Sequence, residues 1–162
     1  MTTSEIIQPI ITAPGLATTP QGPVAFIHLD IAKHEIQNSM GPGIQEIFAA
    51  VKAQNLEVTG SWFTIHYRIT PEAWDFDICV PVKTMIAAIG RVQSKVLEPA
   101  RAATASYLGP YEQLHQAWPQ LRQWMTAQDL ERASWLCEVY ETGPESGLPA
   151  TQWKTQLYQP IA

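Results

Sequence analysis

The chain has 162 residues and a net charge of −5, with 46% hydrophobic but only 15% charged residues. This length fits one domain with a real core, and the ten Lys and Arg residues form no basic cluster, which argues against a nucleic-acid partner. The sequence has no secretory signal and no apolar run of membrane-spanning length, so we expect a cytoplasmic protein with no membrane partner.

The first half of the chain predicts a strand, a helix and two further strands. Residues 24–31 (VAFIHLDI) are typical of a strand, and residues 44–56 carry apolar side chains at helical spacing. We expect Pro42 in the first helical turn, where its missing N–H costs nothing, and Asn55 at the helix end. The stretches GSWFTIHYRIT and WDFDICVPV then predict two strands joined by a turn.

The second half predicts the same order of elements. RAATASYLG is typical of a strand, and a helix is predicted from about Pro110 to Gln128. Pro119 lies inside this helical pattern, so we expect a kink or a break there. SWLCEVYET and WKTQLYQPI predict the last two strands.

A short motif, Gly-Pro-x-x-Gln, occurs in both halves, in SMGPGIQ and in YLGPYEQ. We interpret it as the junction between first strand and helix of a duplicated unit. The predicted single domain, residues 1–162, then contains repeat one at about 24–82, a connector at 83–99 and repeat two at about 100–161. Such an order predicts an α+β fold: a tandem βαββ repeat with a mostly antiparallel sheet, helices on one face and a ligand cleft between the halves.

The cysteines and histidines predict neither a disulfide nor a metal site. Cys79 and Cys137 form no CxxC motif and are expected to be free thiols. His28 and His66 could meet across strands, but no paired metal-site carboxylates accompany them. We therefore expect no metal and no cofactor.

One carboxylate stands out within an otherwise apolar strand. Aligning the halves on Tyr67 and Tyr140 places Ile65 opposite Glu138. Period-two alternation puts Glu138 and Tyr140 on one face of the strand and Trp135 on the other. If the helices cover the Trp135 face, Glu138 points into the predicted cleft.

Three interpretations of Glu138 remain open from the residues alone. It is a general acid or base, the counter-charge for a cationic ligand, or an ordinary solvated glutamate that pairs with a residue such as Arg68. Among the aromatic residues, Trp118 and Trp124 lie on the helix stripe and are predicted to be core. Tyr67, Tyr111, Tyr140 and Trp74 are better candidates for a cleft wall, where aromatic rings suit a flat or cationic compound.

Several stretches together resemble the GyrI-like effector-binding family. These are YLGPYEQLHQAWPQLRQWM, WLCEVYETGPE and WKTQLYQPI in the second half, and SMGPGIQEIF and DFDICVPV in the first. The resemblance runs from about Val24 to Ile161. It implies two βαββ units with pseudo-twofold symmetry and a ligand cleft between them.

The resemblance also implies a role for particular residues. In multidrug-binding members of the family, a glutamate in the strand after the second helix meets cationic aromatic ligands, and Glu138 holds that place here. The ligand-binding residues that we predict are Glu138, Tyr140, Tyr111, Tyr67, Trp62 and Trp74.

The resemblance leaves three functions open. The first is a stand-alone binding protein for aromatic or cationic small molecules, without direct DNA binding, because residues 1–23 are too few for a DNA-binding segment. The second is a hydrolase that opens cyclopropane-containing genotoxins, with Glu138 and Tyr140, or Tyr111 in its place, as the catalytic pair. The third is a protein that binds and modulates gyrase.

Overall fold

The structure is a computed structural model and describes residues 10–162; residues 1–9 of the predicted domain lie outside the described residues. Within residues 10–162 the chain forms eight strands and two α-helices. The strands are β1 (Gly15–Thr18), β2 (Gly22–Ala32), β3 (Phe63–Ile69), β4 (Ala73–Pro81), β5 (Gln93–Leu97), β6 (Arg101–Leu108), β7 (Leu136–Thr142) and β8 (Lys154–Pro160), and the helices are α1 (Ile36–Ala53) and α2 (Ala117–Ala127).

All eight strands join one antiparallel sheet in the order β1-β6-β8-β7-β3-β4-β2-β5. This confirms the predicted α+β fold with an antiparallel sheet. The elements β2-α1-β3-β4 and β6-α2-β7-β8 follow the predicted order of two units, and β3 pairs with β7 where these units meet. The pseudo-twofold symmetry and the repeat boundaries stay predictions.

Two strands lie where none was predicted. β1 precedes the first predicted element, and β5 (QSKVL) lies in the predicted connector. β5 lies at one edge of the sheet and β1 at the other. An edge strand is bonded on one side only and tolerates polar residues, so its sequence lacks the apolar alternation on which strand prediction depends.

The first helix begins at Ile36, well before the predicted start, and Pro42 lies inside it rather than in its first turn. That prediction was wrong, because a proline in a helix interior removes a backbone hydrogen bond and is normally avoided. Gly43, the next residue, lies where α1 approaches the sheet most closely, and tertiary packing there supports the helix despite the proline. A Cβ at Gly43 would lie 2.9 Å from Cδ1 of Ile78, so the glycine lets α1 pack closely on β4.

The Gly-Pro-x-x-Gln motifs are therefore not equivalent. The first lies within α1, whereas the second joins the end of β6 to the 3₁₀ turn Tyr111–Gln116. α2 follows that turn, so the predicted interruption near Pro119 is found as a change from 3₁₀ to α-helix. Pro119 lies in the first turn of α2, where no backbone donor is needed.

Both α-helices end in the same way, which gives a better alignment of the halves. Asn55 and Asp129 follow the helix ends with positive φ values of 55° and 58°. The next residues, Leu56 and Leu130, each donate a backbone hydrogen bond five residues back into the helix, as in a Schellman motif. When Asn55 is aligned with Asp129, Thr64 rather than Ile65 falls on Glu138.

The helices cover one face of the sheet and form two cores there. Ile47 of α1 packs into a cluster with Phe76, and Leu121 of α2 packs into a cluster with Leu136 and Tyr140. The helices thus cover the Glu138 face of β7, and not the Trp135 face that was the condition for Glu138 to point into the cleft. Alternation alone could not decide this, because both faces of β7 carry apolar residues.

The opposite face of the sheet carries a third buried cluster, which includes Cys79 and Cys137. Both are free and buried, as predicted. Burial raises the pKa of the Cys137 thiol to about 12, with a smaller effect of Glu138, so this thiol is un-ionised and unreactive at neutral pH. No helix within residues 10–162 combines the length and apolarity that a membrane span requires.

Candidate functional site

Glu138 lies on β7 at the seam between the two predicted units. It pairs directly with Thr64 of β3, so both side chains point to the face that carries the helices. The Glu138 side chain keeps 13% of its surface exposed. A carboxylate in this position is nearly buried yet still reachable from one side.

Two neutral donors hold the Glu138 carboxylate. The indole Nε1 of Trp118 donates to Oε2 at 2.7 Å, and the Tyr140 hydroxyl donates to Oε1 at 2.6 Å. Hydrogen bonds to a carboxylate stabilise its charged form and fix its orientation. Glu138 is therefore a positioned anion, and not the free carboxylate in an apolar wall that the sequence suggested.

The hydrogen bonds continue behind Tyr140 to a buried histidine. Thr64 Oγ1 lies 3.0 Å from the Tyr140 hydroxyl and 2.9 Å from His66 Nε2. Because Tyr140 donates to Glu138, it accepts from Thr64, and Thr64 in turn accepts from His66. The four side chains thus form a chain in which every proton points toward Glu138, which assigns the His66 proton to Nε2.

His66 is neutral in this chain. Burial lowers its pKa, and the nearby Glu138 carboxylate raises it by a smaller amount. Its Nε2 lies 3.9 Å from Glu138 Oε1, too far for a hydrogen bond, and its Nδ1 has no hydrogen-bond partner among the described residues. A neutral imidazole that donates through Nε2 agrees with both observations.

A cavity of about 530 Å³ opens beside Glu138. Its floor comes from β3 and β7, and its walls come from α2 with the preceding 3₁₀ turn on one side and from Trp74 and Lys33 on the other. The lining residues are Lys33, His66, Ile69, Trp74, Tyr111, Leu114, His115, Trp118, Pro119, Arg122, Leu136 and Glu138. This volume suits an organic molecule of a few fused rings.

Three of the six predicted ligand-binding residues line this cavity, and two more lie behind it, where they line a separate pocket. Glu138, Tyr111 and Trp74 line the cavity directly. Tyr140 and Trp62 lie next to it as a stacked pair, with ring centroids 4.3 Å apart. Tyr140 is buried, so it orients Glu138 rather than contributing open aromatic surface to the cavity.

Tyr67, also predicted to bind the ligand, does not line this cavity. Its hydroxyl donates to Asp77 on the opposite face of the sheet. Alternation along β3 puts Tyr67 on that face with Phe63 and Ile65, and the β-bulge between His66 and Arg68 changes only the residues after it. His28 also lies on that opposite face and bonds Asp77, so the predicted meeting of His28 with His66 does not occur.

Tyr111 lines the cavity, and its hydroxyl lies beside Gly143. This hydroxyl is buried and has no hydrogen-bond partner within residues 10–162. Burial, with smaller effects of Glu145 and Glu138, raises the Tyr111 pKa to about 12, so it remains a hydrogen-bond donor at neutral pH. Gly143 makes room for it, because a Cβ there would overlap the Tyr111 hydroxyl.

Sequence reasoning missed several residues of the site. Trp118 was predicted to be core, although its ring also lines the cavity and its N–H bonds Glu138. Lys33 is far in the sequence from His115 and Arg122, which lie on the 3₁₀ turn and α2, and it meets them only in the fold. A tryptophan that needs a buried partner for its N–H was the one available signal. Across residues 10–162, no three His, Cys, Asp or Glu side chains group as metal ligands.

The chain was compared with known families and structures. The model of the GyrI-like small molecule binding domain matches residues 16–162. No curated protein matches the chain. The EcmrR C-terminal domain is similar in structure, with 21% identity, a TM-score of 0.82 and coverage of 93% of this chain and 97% of that domain. EcmrR in its complex with DNA gives 21% identity and a TM-score of 0.83 over 98% of this chain, but this chain spans only 59% of the EcmrR chain.

Two more distant structures have the same fold. One is a hydrolase encoded by lin2189 from Listeria innocua, with 11% identity, a TM-score of 0.68 and coverage of 99% of this chain and 96% of that chain. The other is SAV2435 bound to tetraphenylphosphonium, with 9% identity, a TM-score of 0.62 and coverage of 93% and 94%. At these identities the likeness establishes the fold alone. The family match covers nearly the whole chain, so the chain belongs to the GyrI-like small molecule binding domain family.

Proposed function

We propose that this protein binds an aromatic small molecule in the cavity beside Glu138, and that Glu138 anchors a cationic or hydrogen-bond-donating group of that molecule. The observation that carries the proposal is the state of the carboxylate. Its two hydrogen-bond donors are uncharged, and within residues 10–162 its only ion-pair candidate is the neutral His66. A nearly buried anion without a counter-charge attracts a positive group of a ligand.

The aromatic side chains support the same proposal. Trp74, Tyr111 and Trp118 present ring surface to the cavity, and a cation held over such a ring gains about 0.5–2 kcal/mol. The free Tyr111 hydroxyl adds a donor for an acceptor atom on the ligand. SAV2435, which has the same fold, was solved with tetraphenylphosphonium, a cation with four phenyl rings.

A fluorescence titration with a cationic aromatic dye, rhodamine 6G, tests this proposal. We expect Glu138→Gln to lose at least about tenfold in affinity, or roughly 1.4 kcal/mol, because the amide keeps the shape but not the charge. Glu98→Gln is the matched control, since it makes the same charge change at an exposed residue outside the cavity. Equal affinity of wild type and Glu138→Gln would remove the role proposed for Glu138.

A second candidate, a hydrolase, is favoured by the short contact between a tyrosine and a glutamate. The Tyr140 hydroxyl lies 2.6 Å from Glu138 Oε1, and the unpartnered Tyr111 hydroxyl lies in the same cavity wall. Glu138 as general base would take a proton from water, and Tyr111 as general acid would protonate the leaving atom. Burial raises the Tyr140 pKa, with a smaller effect of Glu138, so Tyr140 stays protonated and orients the base.

Mass spectrometry of products separates the two candidates. The protein is incubated with a cyclopropane-containing aromatic compound, and a product heavier by one water is sought. An enzyme gives this product with wild type and loses it with Glu138→Gln and with Tyr111→Phe. A binding protein retains the compound unchanged.

A further inference from the structure

A second cavity of about 580 Å³ adjoins the Glu138 cavity. Four residues line both cavities: His66, Ile69, Arg122 and Leu136. The second cavity also contains Arg132, which follows α2 in the chain. Arg122 therefore lies between the Glu138 cavity and a space with a second arginine.

Arg122 is poorly satisfied by the protein. Its Nε is buried without a hydrogen-bond partner, and among the described residues neither Arg122 nor Arg132 forms an ion pair with a carboxylate. Burial lowers the pKa of Arg122, and the like charge of Arg132 lowers it further. A partly buried guanidinium whose Nε has no partner is a candidate for a function, because desolvation of an unpaired charge destabilises the fold.

The balance of charge around the two cavities has the opposite sign to that of the whole chain. The chain has 15 acidic residues against ten Lys and Arg, yet Lys33, Arg68, Arg122 and Arg132 line these cavities against only Glu131 and Glu138. Arg68 approaches Asp30 at 4.0 Å, and Glu131 makes no ion pair with either free arginine. A purely cationic ligand would meet repulsion at the arginine end of this space.

We infer that Arg122 and Arg132 form an anion-binding subsite next to Glu138, and that the bound molecule is an aromatic compound with an acidic group at one end. This inference rests on the proposed function, because it concerns the same ligand. The acidic group is a carboxylate, sulfonate or phosphate, whose oxygens match the planar donors of a guanidinium. The other end of the molecule faces Glu138 and the Trp118 and Tyr111 rings.

Two fluorescent probes with the same rings test the inference. Anilinonaphthalene sulfonate carries an acidic group, and phenylnaphthylamine is the same aromatic amine without it. We expect wild type to bind the sulfonate more tightly than the uncharged probe. Affinity for the sulfonate should fall when NaCl is raised from about 0.05 M to about 0.5 M, because screening weakens a charge contact at the exposed Arg132 end.

Arg122→Met is the main variant, since methionine keeps the unbranched apolar stem and removes the charge. It should lose about tenfold or more in affinity for the sulfonate, and less than about twofold for phenylnaphthylamine. Arg132→Met should lose less, about threefold, because Arg132 is exposed. Arg101→Met is the control with the same charge change at an exposed residue outside both cavities.

The thermal midpoint of Arg122→Met provides a second measurement. A residue held for stability would lower the midpoint when replaced, whereas removal of an unpaired buried charge should leave it unchanged or raise it. Competition with benzoate and with phenyl phosphate, at matched concentration, then distinguishes a carboxylate-bearing from a phosphate-bearing ligand. We expect one of them to displace the sulfonate from wild type and neither to have an effect on Arg122→Met.

The outcomes separate this inference from the proposed function. Binding of phenylnaphthylamine as tightly as the sulfonate overturns the anion subsite and leaves the aromatic cavity intact. Equal binding of the sulfonate by wild type and Arg122→Met also overturns the subsite. Binding of neither probe overturns the proposed function together with the inference.

Discussion

Two nearly buried carboxylates lie on opposite faces of the same sheet, and their partners differ. Asp77, with 1% of its side chain exposed, accepts from His28 Nδ1 at 2.7 Å, the Tyr67 hydroxyl at 2.6 Å and Lys95 Nζ at 2.6 Å. Glu138 accepts only from uncharged donors on its own face. Asp77 thus has a cationic partner inside the fold. Glu138 is oriented by neutral donors and has no cationic partner among residues 10–162.

This difference in partners indicates why Glu138, and not Asp77, suits a ligand. Lys95 also lies 4.2 Å from the centre of the Phe26 ring, so the cation at Asp77 is held from two sides. A ligand there would have to displace an internal ion pair, whereas a ligand at Glu138 meets an unpaired anion beside a cavity. We expect the Asp77 group to stabilise the fold and the Glu138 group to bind the ligand.

The largest effect that separates the two groups is expected from Asp77→Asn. Loss of the buried charge leaves Lys95 without its partner, and we expect a loss of about 3 kcal/mol in the free energy of unfolding. Lys95 keeps a third of its side chain exposed, which places the effect at the lower end for a buried pair. Urea denaturation measures it.

Glu138→Gln is the matched comparison. We expect it to lose no more than about 1 kcal/mol, because no cation is left unpaired and the amide can reverse the hydrogen-bond chain through Tyr140. Equal losses in the two variants would contradict the distinction between the faces. Affinity for the cationic dye should change in the opposite order. Glu138→Gln should lose affinity, and folded Asp77→Asn should bind the dye about as tightly as wild type.

The next effect concerns Tyr140→Phe, which removes one donor from Glu138 and keeps the ring stacked on Trp62. A buried hydrogen bond to a charged acceptor contributes about 1.5–3 kcal/mol, so we expect a loss of about 2 kcal/mol in urea denaturation. Tyr158→Phe is the control. Burial raises the Tyr158 pKa, so its hydroxyl is also partly desolvated, but the described residues offer that hydroxyl no hydrogen bond. A similar loss in both variants would mean that the hydrogen bond to Glu138 contributes no more than a hydroxyl without a partner.

Much of the fold was predictable because its sequence signals are local. The strands and helices of the two units show clear apolar patterns, and Asn55 was correctly placed at the end of α1. Glu138 was identified as the unusual residue of β7, since a carboxylate in an apolar strand is visible without a structure. Tyr111 and Trp74, which were predicted to form a cleft wall, both line the cavity.

The errors have one physical origin, which is that a strand pattern does not specify a face. Both faces of β7 are apolar, so alternation could not show which one the helices cover. The alignment of Tyr67 with Tyr140 was also one residue out of phase, because Thr64 and not Ile65 pairs with Glu138, and this put Tyr67 on the cavity side of the sheet. Arg122 and Arg132 gave no signal at all, because a missing ion pair is a property of the folded chain.

A smaller effect is expected from pH, through His66. Its folded pKa lies below the unfolded value of 6.5, so the unfolded chain binds the proton more tightly. Stability should therefore be full above pH 6.5 and fall as pH decreases below it, by at most about 1.4 kcal/mol per pH unit. The measurement is the free energy of unfolding of wild type minus that of His66→Gln across this range.

His115→Gln is the control for that measurement, since it removes an exposed histidine of the cavity rim and should keep the wild-type slope. His28, beside Asp77, is present in both proteins of each pair, so its contribution cancels in the difference. A slope that is unchanged in His66→Gln would show that folding does not lower the His66 pKa, and would contradict the neutral His66 at the end of the hydrogen-bond chain.

The smallest effect is expected from Tyr67→Phe, which removes one of three donors from Asp77. Tyr67 is 39% exposed, and Asp77 retains Lys95 and His28, so we expect a loss of about 0.5 kcal/mol in urea denaturation. The two tyrosine variants remove the same chemical group from a carboxylate at the same distance, 2.6 Å. In Tyr67→Phe the carboxylate still has Lys95 as its cationic partner, whereas in Tyr140→Phe the carboxylate has none. A loss in Tyr67→Phe as large as that in Tyr140→Phe would therefore mean that Lys95 does not stabilise the Asp77 charge.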